Sequence, residues 1–371
     1  MAKRLRAFLI TGLGLLSLSA IAAAPQKPPE EHVVLIVCDG LRWQEVFTGA
    51  EAALLNGEAG GSWAPVAELR ERFWAESTGD RRARLMPFLW GTVARQGLIY
   101  GNQAVGSVAH VTNPWWFSYP GYNEMSTGVA DPRIDKNEYG PNPNTTVFEW
   151  LNGQPDLNGK VEIFGTWSVF HDIFNESRSH LPVRSGANLV DAADRSPTGQ
   201  LLRELYGTTT RLEGEDPYDS FLSVALREHL KAHRPRVMFV GFGDTDNFAH
   251  SGRYDLVLEA AHSFDAFVGA LWQQMQALPG YRGHTTFILT ADHGRGSGPV
   301  EWKDHGVEQK GSENIWIAVI GPHTPALGEL HDVAPVTQAQ IAATVAAAVG
   351  KDYGAARRDA APPLAAALSR H

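Results

Sequence analysis

One cysteine in 371 residues, Cys38, leaves the chain unable to close a disulfide within itself. Cys38 ends an apolar run, where a thiol behaves as a small core residue. Basic charge is also scarce: 32 Lys and Arg against 41 Asp and Glu give a formal charge of -9, with no basic stripe along the chain. That balance argues against a nucleic-acid polymer as partner, because phosphate backbones are held by clustered Lys and Arg. After Ile21 no apolar run is long enough to cross a bilayer, so no stable membrane span is expected. Low-complexity tracts and internal repeats are missing too. What remains is a chain 43% hydrophobic and long enough for a full core, as one large domain or two small ones.

Against that background, three apolar runs each lead into an acid. Val33 to Cys38 ends in Asp39, Val237 to Phe242 leads to Asp246 and His250, and Thr285 to Thr290 leads to Asp292 and His293. The segment Trp302-Lys303-Asp304-His305-Gly306 adds a third histidine shortly before the run Ile315 to Ile320. Buried strands of a parallel sheet read as continuous apolar runs, and their carboxyl ends form the edge where ligands bind. Asp39, Asp246, His250, Asp292, His293 and His305 are thus expected to gather at one rim. Three carboxylates and three imidazoles suffice to hold two zinc-type ions with positions open to substrate. Any one of these acids alone reads equally well as a turn former or helix cap. Their joint placement points to a metal centre.

The stretch from Val111 to Gly128 carries the second signal. Pro120 suits a first helical position and Gly128 the position just past a helix end, which predicts a short helix from about Pro120 to Thr127 with Ser118 at or just before its start. A hydroxyl there faces unpaired backbone N–H groups and the positive end of the helix dipole, which favour a phosphate and a developing alkoxide. Ser118 is therefore a candidate nucleophile; the plain alternative is a helix cap. Trp115, Trp116, Tyr119 and Tyr122 surround it, able to stack on a leaving group or simply to pack the core.

Asp39-Gly40, Ser118-Tyr119-Pro120, Asp246 with His250 four residues on, Asp292-His293-Gly294 and His305-Gly306 together resemble the alkaline phosphatase superfamily, in order and in type, from about Val33 to Pro322. The resemblance implies a two-metal hydrolase in which Asp246, His250 and His305 bind one ion and Asp39, Asp292 and His293 the other, with Ser118 between them. It implies zinc as the metal, manganese being the next choice, since imidazole nitrogen suits zinc better than calcium. Within the superfamily the chain is similar to the nucleotide pyrophosphatase/phosphodiesterase branch, where a hydroxyl residue, an aromatic and a proline form the nucleophile motif and Thr-Gly follows, as Thr127-Gly128 does here. It departs in carrying Ser rather than Thr and Gly121-Tyr122 after the proline. That branch also places an asparagine about twenty residues after the nucleophile to contact a phosphoryl oxygen; Asn137 lies near that point, outside strict register.

The resemblance implies a small-molecule phosphate ester, mono- or diester, as substrate and a phosphoserine intermediate at Ser118. A sulfatase is the nearest rival, but Tyr122 stands where sulfatase maturation needs Arg. A phosphoglycerate-mutase-like enzyme and a non-catalytic metal-binding relative are further rivals. Oligomeric state is left open.

Strand-like and helix-like segments alternate, which predicts an α/β fold with a doubly wound, mostly parallel sheet flanked by helices. Helices are expected at 86–96, 146–151, 219–232, 255–278 and 337–349. Active-site insertions are expected at about 49–84 and 170–214, and a loosely held tail after Gly350. Lys3, Arg4 and Arg6 precede an apolar stretch from Ala7 to Ile21 and small residues, the pattern of a signal peptide, 1–23, ahead of a single hydrolase domain, 24–371, in the periplasm or outside the cell. An uncleaved anchor is the alternative. Mass spectrometry of the exported protein should find its first residue at Ala23 or Ala24; intact Met1 on cytoplasmic protein would contradict export.

Overall fold

The computed structural model describes residues 30–368 apart from 192, 213 and 215, so the signal-peptide segment lies outside the described residues. Among the described residues ten strands are formed: β1 (His32–Cys38), β2 (Leu98–Tyr100), β3 (Ser107–His110), β4 (Val161–Gly165), β5 (Val183–Ser185), β6 (Val237–Phe242), β7 (Thr285–Thr290), β8 (Ile317–Ile320), β9 (Gly328–Glu329) and β10 (Val333–Thr337). Eight of them make one sheet in the order β5-β4-β6-β1-β7-β8-β2-β9, while β10 and β3 pair separately. From β5 to β7 all neighbours are parallel; β8 runs antiparallel to both β7 and β2.

β1 is buried along its whole length, which is why its sequence shows no polar alternation. Val34, Ile36 and Cys38 face one helical layer and Val33, Leu35 and Val37 the other. Each such aliphatic side chain contributes about 1.5–3 kcal/mol on burial, which makes the central strands a rigid base for the loops at their carboxyl ends. The thiol of Cys38 is buried and pushed up by desolvation, consistent with a core role. The register decides the functional geometry. Cys38 lies opposite Phe242 and Val37 opposite Thr290, so the segments leaving β1, β6 and β7 emerge side by side.

Two helices match the sequence expectation closely, Asp219–Ala232 and Tyr254–Ala277, and Val147–Asn152 is capped by Thr146. The region read as one helix at 86–96 splits into a π-helical stretch, Leu89–Val93, and a last turn, Ala94–Gln96. The stretch 170–214 supplies edge strand β5 as well as short helices. The tail after Gly350 is more ordered than its composition suggests. Leu364 and Ala367 are buried, and the N–H groups of Leu364 and Ala361 bond to Thr344 Oγ1 and Gly128 O at 2.9 and 3.0 Å. Small side chains let this tail lie flat on the helix Gln340–Ala348. Among the described residues no helix is long and apolar enough to cross a membrane.

Candidate active site

Asp39 follows β1 directly, and its N–H bonds the Phe242 carbonyl at 2.9 Å. Asp246 and His250 share one face of the helix Asp244–His250, four residues apart. Asp292 and His293 stand just beyond β7. His305 precedes β8, and because β8 is antiparallel its beginning lies at the edge where β7 ends. One antiparallel strand thus explains how a histidine placed before a strand joins residues placed after three others.

His293 is the hub. Its Nε2 is 3.3 Å from Asp39 Oδ1, 3.4 Å from Asp292 Oδ2, 3.9 Å from Asp246 Oδ1 and 3.2 Å from Ser118 Oγ. Its Nδ1 must donate to the Gly294 carbonyl, 2.8 Å away, which leaves Nε2 as the ligating nitrogen of the neutral ring. His305 Nε2 lies 3.6 Å from Asp246 Oδ1 and 3.0 Å from His250 Nε2, and His250 Nε2 lies 3.4 Å from Asp246 Oδ2. Asp304, read from sequence as lying outside the ligand set, approaches His250 Nδ1 at 3.5 Å. Two triplets offer donor atoms within 4.8 Å of one another: Asp39, Asp292 and His293, and Asp246, His293 and His305. His250 reaches the second triplet through the two contacts just given.

The donor set fits cations. Asp39 Oδ1 and Asp292 Oδ2 are buried and have no hydrogen-bond partner, an expensive state for a carboxylate unless a cation meets it. Burial and the neighbouring Asp246 charge push Asp39 up; burial and Asp39 push Asp292 up further. Burial works against a charged His293, yet Asp292 and Asp39 carry it up to about 9. Burial and the charge of His293 drive His305 down. Burial also opposes ionisation of Asp246, but the guanidinium of Arg295 together with His250 and His305 outweighs it and holds that carboxyl well below its usual range.

Ser118 opens the helix Ser118–Thr127, two residues earlier than Pro120 alone suggested. Pro120 is the third residue of that helix, still among the N–H groups that have no helical partner, so it costs nothing there. Every residue of this helix is buried. Gly121 lies against the rim: a Cβ there would sit 2.3 Å from the Asp292 carbonyl oxygen. Gly40 serves likewise, with φ +59° and a Cβ position 2.7 Å from Asp246 Oδ1. Asn137 reaches the same helix start, its Oδ1 accepting from the Tyr119 N–H at 3.0 Å. Only the oxygen can accept there, so the amide NH2 remains a donor.

Sequence reasoning missed several supporting residues. Arg295, buried, pairs with Asp246 and bonds its carbonyl at 3.2 Å. Tyr122 is buried against Phe170 and Phe239, and its hydroxyl donates to Asp39 Oδ2 at 2.9 Å. Glu124, fully buried, accepts from the Thr112 and Asn113 N–H groups at 2.9 and 2.7 Å and from Ala339 N–H at 3.1 Å. Asn113 Oδ1 in turn accepts from Trp115 and Trp116, and Trp116 is held at φ +57°, a strained value for a bulky residue. The loop that delivers Ser118 is therefore braced rather than loose. An open surface cleft of about 1140 Å³ lies elsewhere, beside the end of the helix Gln340–Ala348 and the C-terminal tail; its lining is mostly apolar and includes none of the rim residues.

Fold and rim together set a cluster of metal-ligand donors and a serine at one edge of an alkaline-phosphatase-like sheet. The family described as "Type I phosphodiesterase / nucleotide pyrophosphatase" matches residues 58–360, and the chain belongs to it. Asp39 precedes that match, and the sheet brings it to the site. Among solved structures, the alkaline phosphatase PafA superposes with a TM-score of 0.57 at 9% identity, over 93% of this chain and 100% of that one. The lipoteichoic acid synthase LtaP from Listeria monocytogenes superposes with a TM-score of 0.55 at 13% identity, over 87% of this chain and 73% of that one. By sequence, a 2,3-bisphosphoglycerate-independent phosphoglycerate mutase from Ruthia magnifica subsp. Calyptogena magnifica is 25% identical over 126 residues, 32% of this chain and 24% of that one. The chain thus matches about a quarter of the mutase's length.

Gly121→Ala tests the close approach of helix and rim. Overpacking against backbone costs about 1–3 kcal/mol, and displacement of a nucleophile by ~1 Å costs on the order of a hundredfold. Turnover of a phosphate ester should fall about ten- to a hundredfold while circular dichroism stays native; unchanged turnover would contradict the packing described.

Proposed function

We propose that the protein is an exported phosphodiesterase that works through a covalent phosphoserine at Ser118. The observation that carries this reading is Ser118 Oγ at 3.2 Å from His293 Nε2, at the start of a buried helix and inside the cluster of acids and imidazoles. The basic and apolar start of the chain supports export.

Asp39, Asp292 and His293 would hold one ion and Asp246, His250 and His305 a second. Zinc is the best match to these donors and manganese the next; such ions, when bound, favour ionisation of a nearby hydroxyl and neutralise phosphoryl oxygens. Ser118 Oγ attacks phosphorus in line, the P–O bond to the leaving alcohol breaks, and the serine ester forms. Water then attacks the same phosphorus, the Ser118 Oγ–P bond breaks, and the proton lost by the water balances the one regained by serine. Tyr122 and Gly40 hold Asp39 and Asp292 in place through the 2.9 Å hydroxyl and 3.0 Å N–H bonds. Asn137, fixed by Tyr119, offers its amide NH2 to a phosphoryl oxygen beside Ser118. Trp115, half-buried, three residues before Ser118 and fixed by its 3.0 Å bond to Pro132 O, would stack on an aromatic leaving group.

The mutase relative favours one second reading, passage of the phosphoryl group from Ser118 to another alcohol instead of water. Rates on bis-nitrophenyl phosphate, nitrophenyl phosphate, a phosphonate ester and nitrophenyl sulfate, with and without an added alcohol, separate these chemistries. The diester should be preferred and the sulfate poor.

Ser118→Ala should lower turnover on phosphate esters by several orders of magnitude, on the order of what loss of a nucleophile costs, with metal content unchanged. Asp292→Ala and His250→Ala should each lower the metal content. Near-normal activity in Ser118→Ala would mean that water attacks phosphorus directly.

A further inference from the structure

Away from the rim, at the amino ends of the parallel strands, lies a second set of metal-ligand donors. Glu162 is the second residue of β4, opposite Met238 at the start of β6. His229 sits in the last turn of the helix Asp219–Ala232, and His233 is the residue that ends it. His233 has left the helix, with φ -107° and ψ 153°, but its N–H still bonds the His229 carbonyl at 3.0 Å, which keeps the two residues one above the other. The two rings lie parallel, 3.9 Å apart with 3° between their planes. One nitrogen of each ring and one Glu162 oxygen fall within 4.8 Å of one another.

A second observation points the same way. His229 Nε2 is buried and lies 2.7 Å from Glu162 Oε2, yet in a direction that makes no acceptable hydrogen bond. A carboxylate and an imidazole that approach edge to edge off the hydrogen-bond line are arranged as two ligands of one ion are. Arg184 Nη1, 3.0 Å from Glu162 Oε2, supplies a cation to the same carboxylate from β5 and packs over Phe164 at 5.5 Å. It competes with a metal for the charge of that carboxylate.

We propose that Glu162, His229 and His233 bind one divalent transition-metal ion of the zinc or nickel type. Two imidazoles and one carboxylate, with water completing the shell, are a donor set that such ions accept. His233 is exposed, so an ion enters from solvent. The site clips the end of the helix Asp219–Ala232 to the sheet. The other end of that helix is already tied to the active-site helix, because Asp219 N–H bonds Asp244 Oδ2 at 3.1 Å and Gly243 N–H bonds Asp219 Oδ1 at 2.9 Å. An ion that binds only the folded chain raises its stability by mass action.

The test is metal counting on the full-length protein after dialysis against micromolar zinc, with a parallel thermal melt. His233→Ala, an exposed change that leaves the rim intact, should bind one ion fewer than the unaltered protein, show a smaller zinc-dependent rise in Tm, and keep its turnover on phosphate esters. Asp292→Ala with Asp246→Ala, which breaks both rim sites, should retain one ion, and adding His233→Ala should remove it. Arg184→Ala should bind that ion about tenfold more tightly, because the competing guanidinium is gone. If His233→Ala and the unaltered protein bind the same number of ions, or if the rim double variant retains none, the site does not exist. Because these readouts do not depend on phosphoserine chemistry, failure of this site and failure of the rim mechanism are distinguishable.

Discussion

Two buried carboxylates, Asp39 and Asp292, and a partly buried third, Asp246, set the terms for the rest of this structure. Asp39, Asp246 and Asp292 emerge from neighbouring or adjoining parallel elements because β6, β1 and β7 run side by side in register. Like charges at that separation, away from water, repel strongly, and each unpaired carboxylate carries a desolvation penalty of several kcal/mol. The chain meets part of that charge with Arg295 on Asp246 and with His293 between Asp39 and Asp292. The oxygens left without partners are those that divalent cations would complete.

Ser118, the proposed nucleophile, is placed under the same constraint. A serine is a poor nucleophile near neutral pH unless its proton is taken or its anion stabilised, and the position of Ser118 at a helix start beside the cluster of metal-ligand donors favours the anion. Holding it there needs a helix that is buried throughout, a glycine where it touches the Asp292 backbone, and a loop pinned by Glu124 and Asn113. Tyr122 couples the two halves, since it belongs to the helix that begins at Ser118 and bonds Asp39. The positive φ of Trp116 marks where strain is accepted to aim the chain into the helix.

Much of this was legible in the chain. Continuous apolar runs ending in acids revealed the buried strands, because a strand covered on both faces has no polar side, and the acids marked the ligand edge. Periodicity located the helices Asp219–Ala232 and Tyr254–Ala277, whose apolar faces are long enough to read. The supporting residues were hidden for a different reason. Arg295 and Glu124 are charged side chains that sequence pattern assigns to the surface, and only tertiary contact shows that each is buried against partners far along the chain. The direction of β8, which brings His305 to the rim, depends on pairing and not on local pattern. The ordered tail after Gly350 looked loose because Ala and Pro carry little packing signal, although small side chains are what allow it to lie close.

Passage of phosphorus through Ser118 in two in-line displacements is the step on which the proposed chemistry stands. The most direct measurement is the stereochemical course of hydrolysis of a phosphorothioate diester of known configuration at phosphorus, carried out in water labelled with heavy oxygen. Attack by Ser118 inverts the centre and attack by water inverts it again, so net retention is the expected result. Net inversion would show a single displacement by water and would contradict the phosphoserine route.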